Sequence, residues 1–159
     1  MGQQQLLLVI LVTILVGIAT VVAINVFGDA AEQANRDAVR QDLLQASASV
    51  QAIWAKPTIL GGAGNNFGAT NLSDEDILRN IAIPGRINAD GDLENENATY
   101  DLTEREGRFI EIEATPASWR DIITLRVERL EEEDTDGRIW IVTLRDGDDE
   151  VQEGENGEE

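Results

Sequence analysis

From Leu6 to Phe27 the chain runs 22 residues without a charge, LLLVILVTILVGIATVVAINVF, with Thr13, Thr20 and Asn25 as its only polar side chains. As a helix this stretch would be ~33 Å long, about one bilayer core. It is too long and too evenly apolar for a surface helix of a protein this size. The expected element is a helix that crosses a membrane or is buried in an assembly. From Asp29 to Trp54 the pattern becomes amphipathic: Val39, Leu43, Ala46, Val50 and Ile53 recur at steps of four and three, with Leu44, Ser47 and Trp54 widening the stripe. Asp29 and Glu32 make a D-x-x-E pattern after Gly28, so the helix either restarts at Asp29 or runs through a soft spot at Asn25 to Gly28. Pro57 ends it, because the residue before a proline is steered out of the helical region.

Residues 59–71 are Gly- and Asn-rich and read as a loop. Ser73-x-x-Asp76 starts a short helix, Asp74 to Ile81, stopped by Pro84-Gly85. From Arg86 the period falls to two. The expected strands are Thr99–Thr103, Arg108–Ala114, Ile122–Leu130 and Arg138–Arg145, with a tight turn at Asp136-Gly137. These form an antiparallel meander whose apolar face needs cover. The amphipathic helix supplies it through Val39, Leu43, Val50 and Trp54 against Leu125, Val127 and Trp140, with Trp119 a further aromatic for the seam. The last segment, 146–159, reads as a disordered acidic tail. The predicted fold is therefore α+β: a long N-terminal helix, apolar then amphipathic, on a small antiparallel meander. Its segments are a possible leader at 1–2, an apolar helix at 3–28, an amphipathic helix at 29–56, a loop and sheet domain at 57–145, and the tail.

Charge narrows the function. Thirty-one acidic residues stand against 12 basic, a formal charge of −19, with Lys56 the only lysine. Such a surface repels nucleic acid, so no nucleic-acid partner is expected. It also suits concentrated salt, where screening suppresses self-repulsion, and points to a halophilic source or else to an acidic extracellular protein. The chain has neither Cys nor His, which removes disulfides, thiolate and imidazole catalysis and Cys/His zinc sites. No pair of carboxylates stands out as placed in a pocket, so no enzyme is expected. The Gly-rich loop lacks the P-loop pattern.

Three weaker patterns remain. Thr13, Gly17 and Thr20 lie at i, i+4 and i+7 on one helical face, with Ala19 and Ala23 beside them. Small residues at that spacing let helix backbones pack closely in lipid, or they are incidental to a plain anchor. Asn88, Asp90, Asp92 and Glu94, followed by Glu96, alternate around Gly91 as oxygen ligands for Ca²⁺ would; a solvated acidic loop has the same composition. Asn71 and Asn97 begin N-glycosylation sequons.

The charge-free N-terminal helix, the amphipathic continuation, the loop and the sheet together resemble the type IV pilins and pseudopilins. In that family a peptidase cuts after a glycine that precedes the apolar run, a position matched here by Gly2-Gln3. The poor match to a secretory signal peptide agrees: the head has no basic residue, and Val21-Val22-Ala23 is a weak cleavage site. The resemblance implies a homo-oligomeric helical filament at the cell surface, built from subunits that are membrane-anchored first. It also implies partners in an assembly ATPase and a membrane platform protein. Two family features are absent. No acid precedes Asp29, where the family has a glutamate that pairs with a neighbour's N-terminus, so Gln3, Gln4 or Gln5 can only substitute by hydrogen bonding; the family's helix-breaking proline is also missing. The competing expectation is a single-pass membrane protein displaying an extracytoplasmic ligand- or ion-binding domain.

Overall fold

The computed structural model describes residues 2–69, 72–118, 121–134 and 137–147. One helix, α1, runs from Gly2 to Ala55. It does not restart at Asp29: a lone Gly28 costs a helix only ~1 kcal/mol relative to Ala, and a run of strong formers, Ala30, Ala31, Glu32 and Gln33, begins two residues later. The chain divides into two compact units, Met1–Ala34 and Asn35–Glu159.

In the first unit every described residue is exposed. The large apolar side chains range from 48% exposed at Ile10 to 75% at Phe27. The window around them is long and apolar enough to cross a membrane.

The second unit is an α+β domain with a pilin-like layout, in which the later part of α1 covers an antiparallel sheet. Along α1, Val39, Leu43, Ala46, Ser47, Val50, Ile53 and Trp54 are buried, and the Ser47 hydroxyl donates to the Leu44 carbonyl at 2.7 Å. Leu44 lies off the stripe and is 56% exposed. Six strands follow in meander order: β1 (Arg86–Ile87), β2 (Leu93–Glu94), β3 (Ala98–Glu106), β4 (Phe109–Pro116), β5 (Ile123–Arg129) and β6 (Trp140–Asp146), each antiparallel to the next. Tyr100, Ile110, Ile112, Ala114, Ile123, Leu125 and Val127 fill the inner face, and all are fully buried. Trp140 packs on this core from its margin, edge-on to Trp54 at 5.8 Å between ring centroids. Trp119 lies outside the described residues, as do Asp136 of the expected turn and the tail from 148 onward.

The Gly/Asn-rich segment closes the end of α1. After a 3-10 turn at Thr58–Leu60 the chain doubles back, and the amides of Ala63, Gly64 and Asn65 donate to the carbonyls of Ile53, Lys56 and Trp54. Those are carbonyls that a helix end leaves without partners. The approach is so close that a Cβ at Gly62 would fall 2.1 Å from the Lys56 oxygen, which is why glycine stands there. Phe67 then inserts against Trp54, ring centroids 4.8 Å apart. Helix α2 (Asp74–Asn80) opens with a capping box in which Ser73 and Asp76 bond each other's backbone amides. That bonding holds the Asp76 carboxyl below its ordinary value.

Three details depart from the expectations. The acidic segment 88–96, expected as a solvated loop or a calcium site, holds β2 and the turn of the β1–β2 hairpin. A bulge between Leu102 and Glu104 shifts the register of β3 against β4 and turns Arg105 toward the core face, where it bonds the Phe67 carbonyl and pairs with Asp74. Asp146, assigned by composition to the tail, is the last residue of β6 and accepts from both Arg36 and Arg40 of α1.

Candidate functional site

The segment Leu6–Phe27 is helical because nothing in it prevents helix and every backbone group can be satisfied within it. Its few polar groups are satisfied in the same way. The Thr13 hydroxyl donates to the Val9 carbonyl and the Thr20 hydroxyl to the Val16 carbonyl, each at 2.8 Å. Both threonines therefore tolerate lipid or a dry helix interface without a partner. Between them, a Cβ built at Gly17 meets no atom within 4 Å. Thr13, Gly17 and Thr20, and Ala19 and Ala23 beside them, thus make a shallow strip with no neighbour among the described residues of the chain. Gly2 and Gln3 are also exposed, in the first turn of α1.

The domain's main polar cluster surrounds Asp42, a residue that no periodic pattern in the sequence marks. One carboxylate oxygen, Oδ2, accepts from the Tyr100 hydroxyl at 2.6 Å, Asn95 Nδ2 at 3.1 Å and Asn97 Nδ2 at 3.2 Å. Asn95 Oδ1 in turn accepts from the amides of Asn97 and Ala98, so the β2–β3 turn is tied to α1 through one acid. Burial, then the bond to Asp42 and its negative charge, push the Tyr100 phenol above its ordinary value. The only prior hint in the sequence is an acid beside Leu43 on an otherwise uncharged helix flank. Asn97 is one of the two sequon asparagines, and its amide nitrogen, where a glycan would attach, is engaged in this cluster. Asn71 lies outside the described residues.

The candidate calcium loop folds on itself. Asn88 Oδ1 accepts from the amides of Asp90 and Asp92, each at 2.9 Å, while Asn88 Nδ2 donates to the Asp92 carboxylate at 3.2 Å. Glu94 pairs with Arg86 at 3.2 Å. Gly91 takes a φ of +100°, the turn conformation that glycine allows. Among the described residues no group of three or more acids is close enough to hold a metal ion.

The sheet's outer face concentrates acid. Asp101 stands opposite Glu113, and Glu104 opposite Glu111, and like charges in direct register oppose pairing. Arg126 relieves part of this, 3.6 Å from Glu111 and 3.3 Å from Glu128, with its guanidinium 3.8 Å from the centre of the Phe109 ring.

No family model matches the chain, and no curated protein or solved structure is significantly similar to it.

Proposed function

We propose that this protein is the structural subunit of an extracellular type IV pilus-like filament, polymerising through Leu6–Phe27. One observation carries the reading: a charge-free helical surface, exposed from Leu6 to Phe27, continues in the same helix into a face fully committed to its own sheet. At ~25 cal/mol per Å², leaving so many large apolar side chains in water is untenable, so the segment has a partner outside its own domain. A filament supplies one in copies of the same helix, after a membrane has held the subunit. The acidic outer face of the sheet then faces the medium. Electron microscopy of sheared cell-surface material, with mass spectrometry of the filaments, tests this. Filaments lacking this chain would overturn it.

The second reading is a tethered domain, with the helix as a single-pass anchor. It is favoured by the Thr13 and Thr20 hydroxyls, which are satisfied inside their own helix and ask nothing of a neighbouring subunit. Under that reading the protein remains in the membrane fraction after shearing.

A further inference from the structure

The two edges of the sheet are built differently. The β1 edge is two residues long, begins with Arg86, follows Pro84-Gly85 and has α2 alongside. These are the features by which edge strands avoid joining another chain. The β6 edge lacks the brevity and the proline, and it carries charge only in its last two residues, Arg145 and Asp146. It is seven residues long, pairs with β5 in unbroken register, and contains no proline or lysine. Its stretch Trp140–Leu144 carries no charge, and Ile141 and Val142 are 41% and 39% exposed. Among the described residues nothing pairs with its outer side.

We propose that β6 is a docking edge for β6 of a second copy of this chain, the two strands running antiparallel about a two-fold axis at Thr143. Charge selects the occupant. A basic partner would be drawn to the carboxylates of β3 and β4, away from a neutral edge. Two copies that each carry −19 approach most easily where carboxylates are absent or already neutralised: Trp140–Leu144 has none, and Asp146, the one acid of β6, is held by Arg36 and Arg40. Register follows from length, because centring on Thr143 pairs the whole strand. Thr143 meets Thr143 of the second copy, a favourable cross-strand pair, Val142 meets Leu144 and Ile141 meets Arg145. Faces match throughout, since paired residues share parity. A single seven-residue edge buries far less than the ~1,200–2,000 Å² of a stable interface, so one contact is weak. Repetition along a filament or across a membrane makes it effective. The pairing goes beyond the filament reading and holds for tethered domains as well. On filaments it links neighbouring filaments laterally, because a two-fold cannot lie within one polar strand of subunits.

The absence of native cysteine makes the test direct. The full chain carrying Thr143→Cys is oxidised in native membranes at ~1 M salt, where the Debye length is ~3 Å, and read on non-reducing gels. Directly opposed residues lie ~4.5–5.5 Å apart between Cα atoms, within disulfide reach. Ile141→Cys or Arg145→Cys alone would place its two thiols ~13 Å apart, so each should cross-link about tenfold less. Co-expressed Ile141→Cys and Arg145→Cys chains should restore a mixed dimer, which keeps the test valid if Thr143→Cys misfolds. Adding Ile141→Lys to the Thr143→Cys chain should reduce its dimer about tenfold, as an edge lysine does. Equal cross-linking at 141, 143 and 145, or a Thr143→Cys dimer indifferent to Ile141→Lys, overturns the proposal. So does a folded Thr143→Cys chain that forms no dimer.

Discussion

Replacing Gly17 with leucine separates a helix that only sits in lipid from one that packs on copies of itself. Within the chain the change is free of steric cost, because a Cβ at Gly17 meets nothing within 4 Å and its neighbours Val16 and Ile18 are 54% and 62% exposed. Exchanging glycine for a good helix former contributes up to ~1 kcal/mol to helix stability and adds apolar surface. An isolated or merely anchored chain should therefore insert at least as well as wild type. Between packed helices the sign reverses. The leucine projects between Thr13 and Thr20, and overpacking costs ~1–3 kcal/mol per site, equivalent to a ~5- to 150-fold rise in the subunit concentration needed to assemble. That cost recurs at each subunit. The readouts are filament length by electron microscopy of sheared material and the membrane-bound fraction by immunoblot. The expected outcome is short or absent filaments with membrane insertion retained, and Gly17→Ala intermediate. Filaments of normal length from Gly17→Leu would refute Thr13–Gly17–Thr20 as a packing seam. No filaments from either strain would favour the tethered domain.

Asp42→Ala should lower the stability of the folded domain by ~1–3 kcal/mol, since it strands the buried Tyr100 hydroxyl and two asparagine amides; thermal unfolding checks this, and Asp42→Asn should recover part of the loss. Tyr100 is the chain's only tyrosine, so its tyrosinate absorbance titrates one site. Because the folded state raises its pKa, the stabilisation is complete below the unfolded value near ~10 and declines above it by up to ~1.4 kcal/mol per pH unit; absorbance should rise together with unfolding, and a phenol that ionises in the folded protein would contradict the burial. The opposed acids Asp101–Glu113 and Glu104–Glu111 predict that a soluble fragment beginning at Ala30 melts higher as salt rises from ~0.1 M to ~1 M, and a flat or falling Tm would remove the inference of adaptation to brine. Calcium at ~1 mM, enough to fill extracellular-type sites, should leave that Tm unchanged because Asn88 and Glu94 are already engaged; a rise would mean that the 88–94 loop opens to ligate it.

Burial leaves a periodic trace, and that is why the α1 stripe and the strand alternation were legible. Val39, Leu43, Ala46, Val50 and Ile53 announce a helix face by spacing alone, as Ile123, Leu125 and Val127 announce a sheet face. Two-residue strands such as β1 and β2 are too short to show a period, so the hairpin disappeared into its acidic composition. A polar cluster has no period at all. Asp42 meets Asn95, Asn97 and Tyr100 across separations of 53, 55 and 58 residues, and which of 31 acids would find such partners is a property of the folded chain. Asp146 is the clearest case. Hydropathy cannot distinguish an acid that ends a strand from one that begins a tail; the deciding partners are Arg36 and Arg40, on one face of α1 more than a hundred residues earlier. In a chain with so many acids, the presence of charge at a position carries little information and its absence carries much. The longest such absence runs from Met1 to Gly28, and its apolar part, Leu6–Phe27, bears the proposed assembly surface. Trp140–Leu144 is a short one on an open edge, too brief to stand out until the strand order shows that nothing among the described residues lies beyond it.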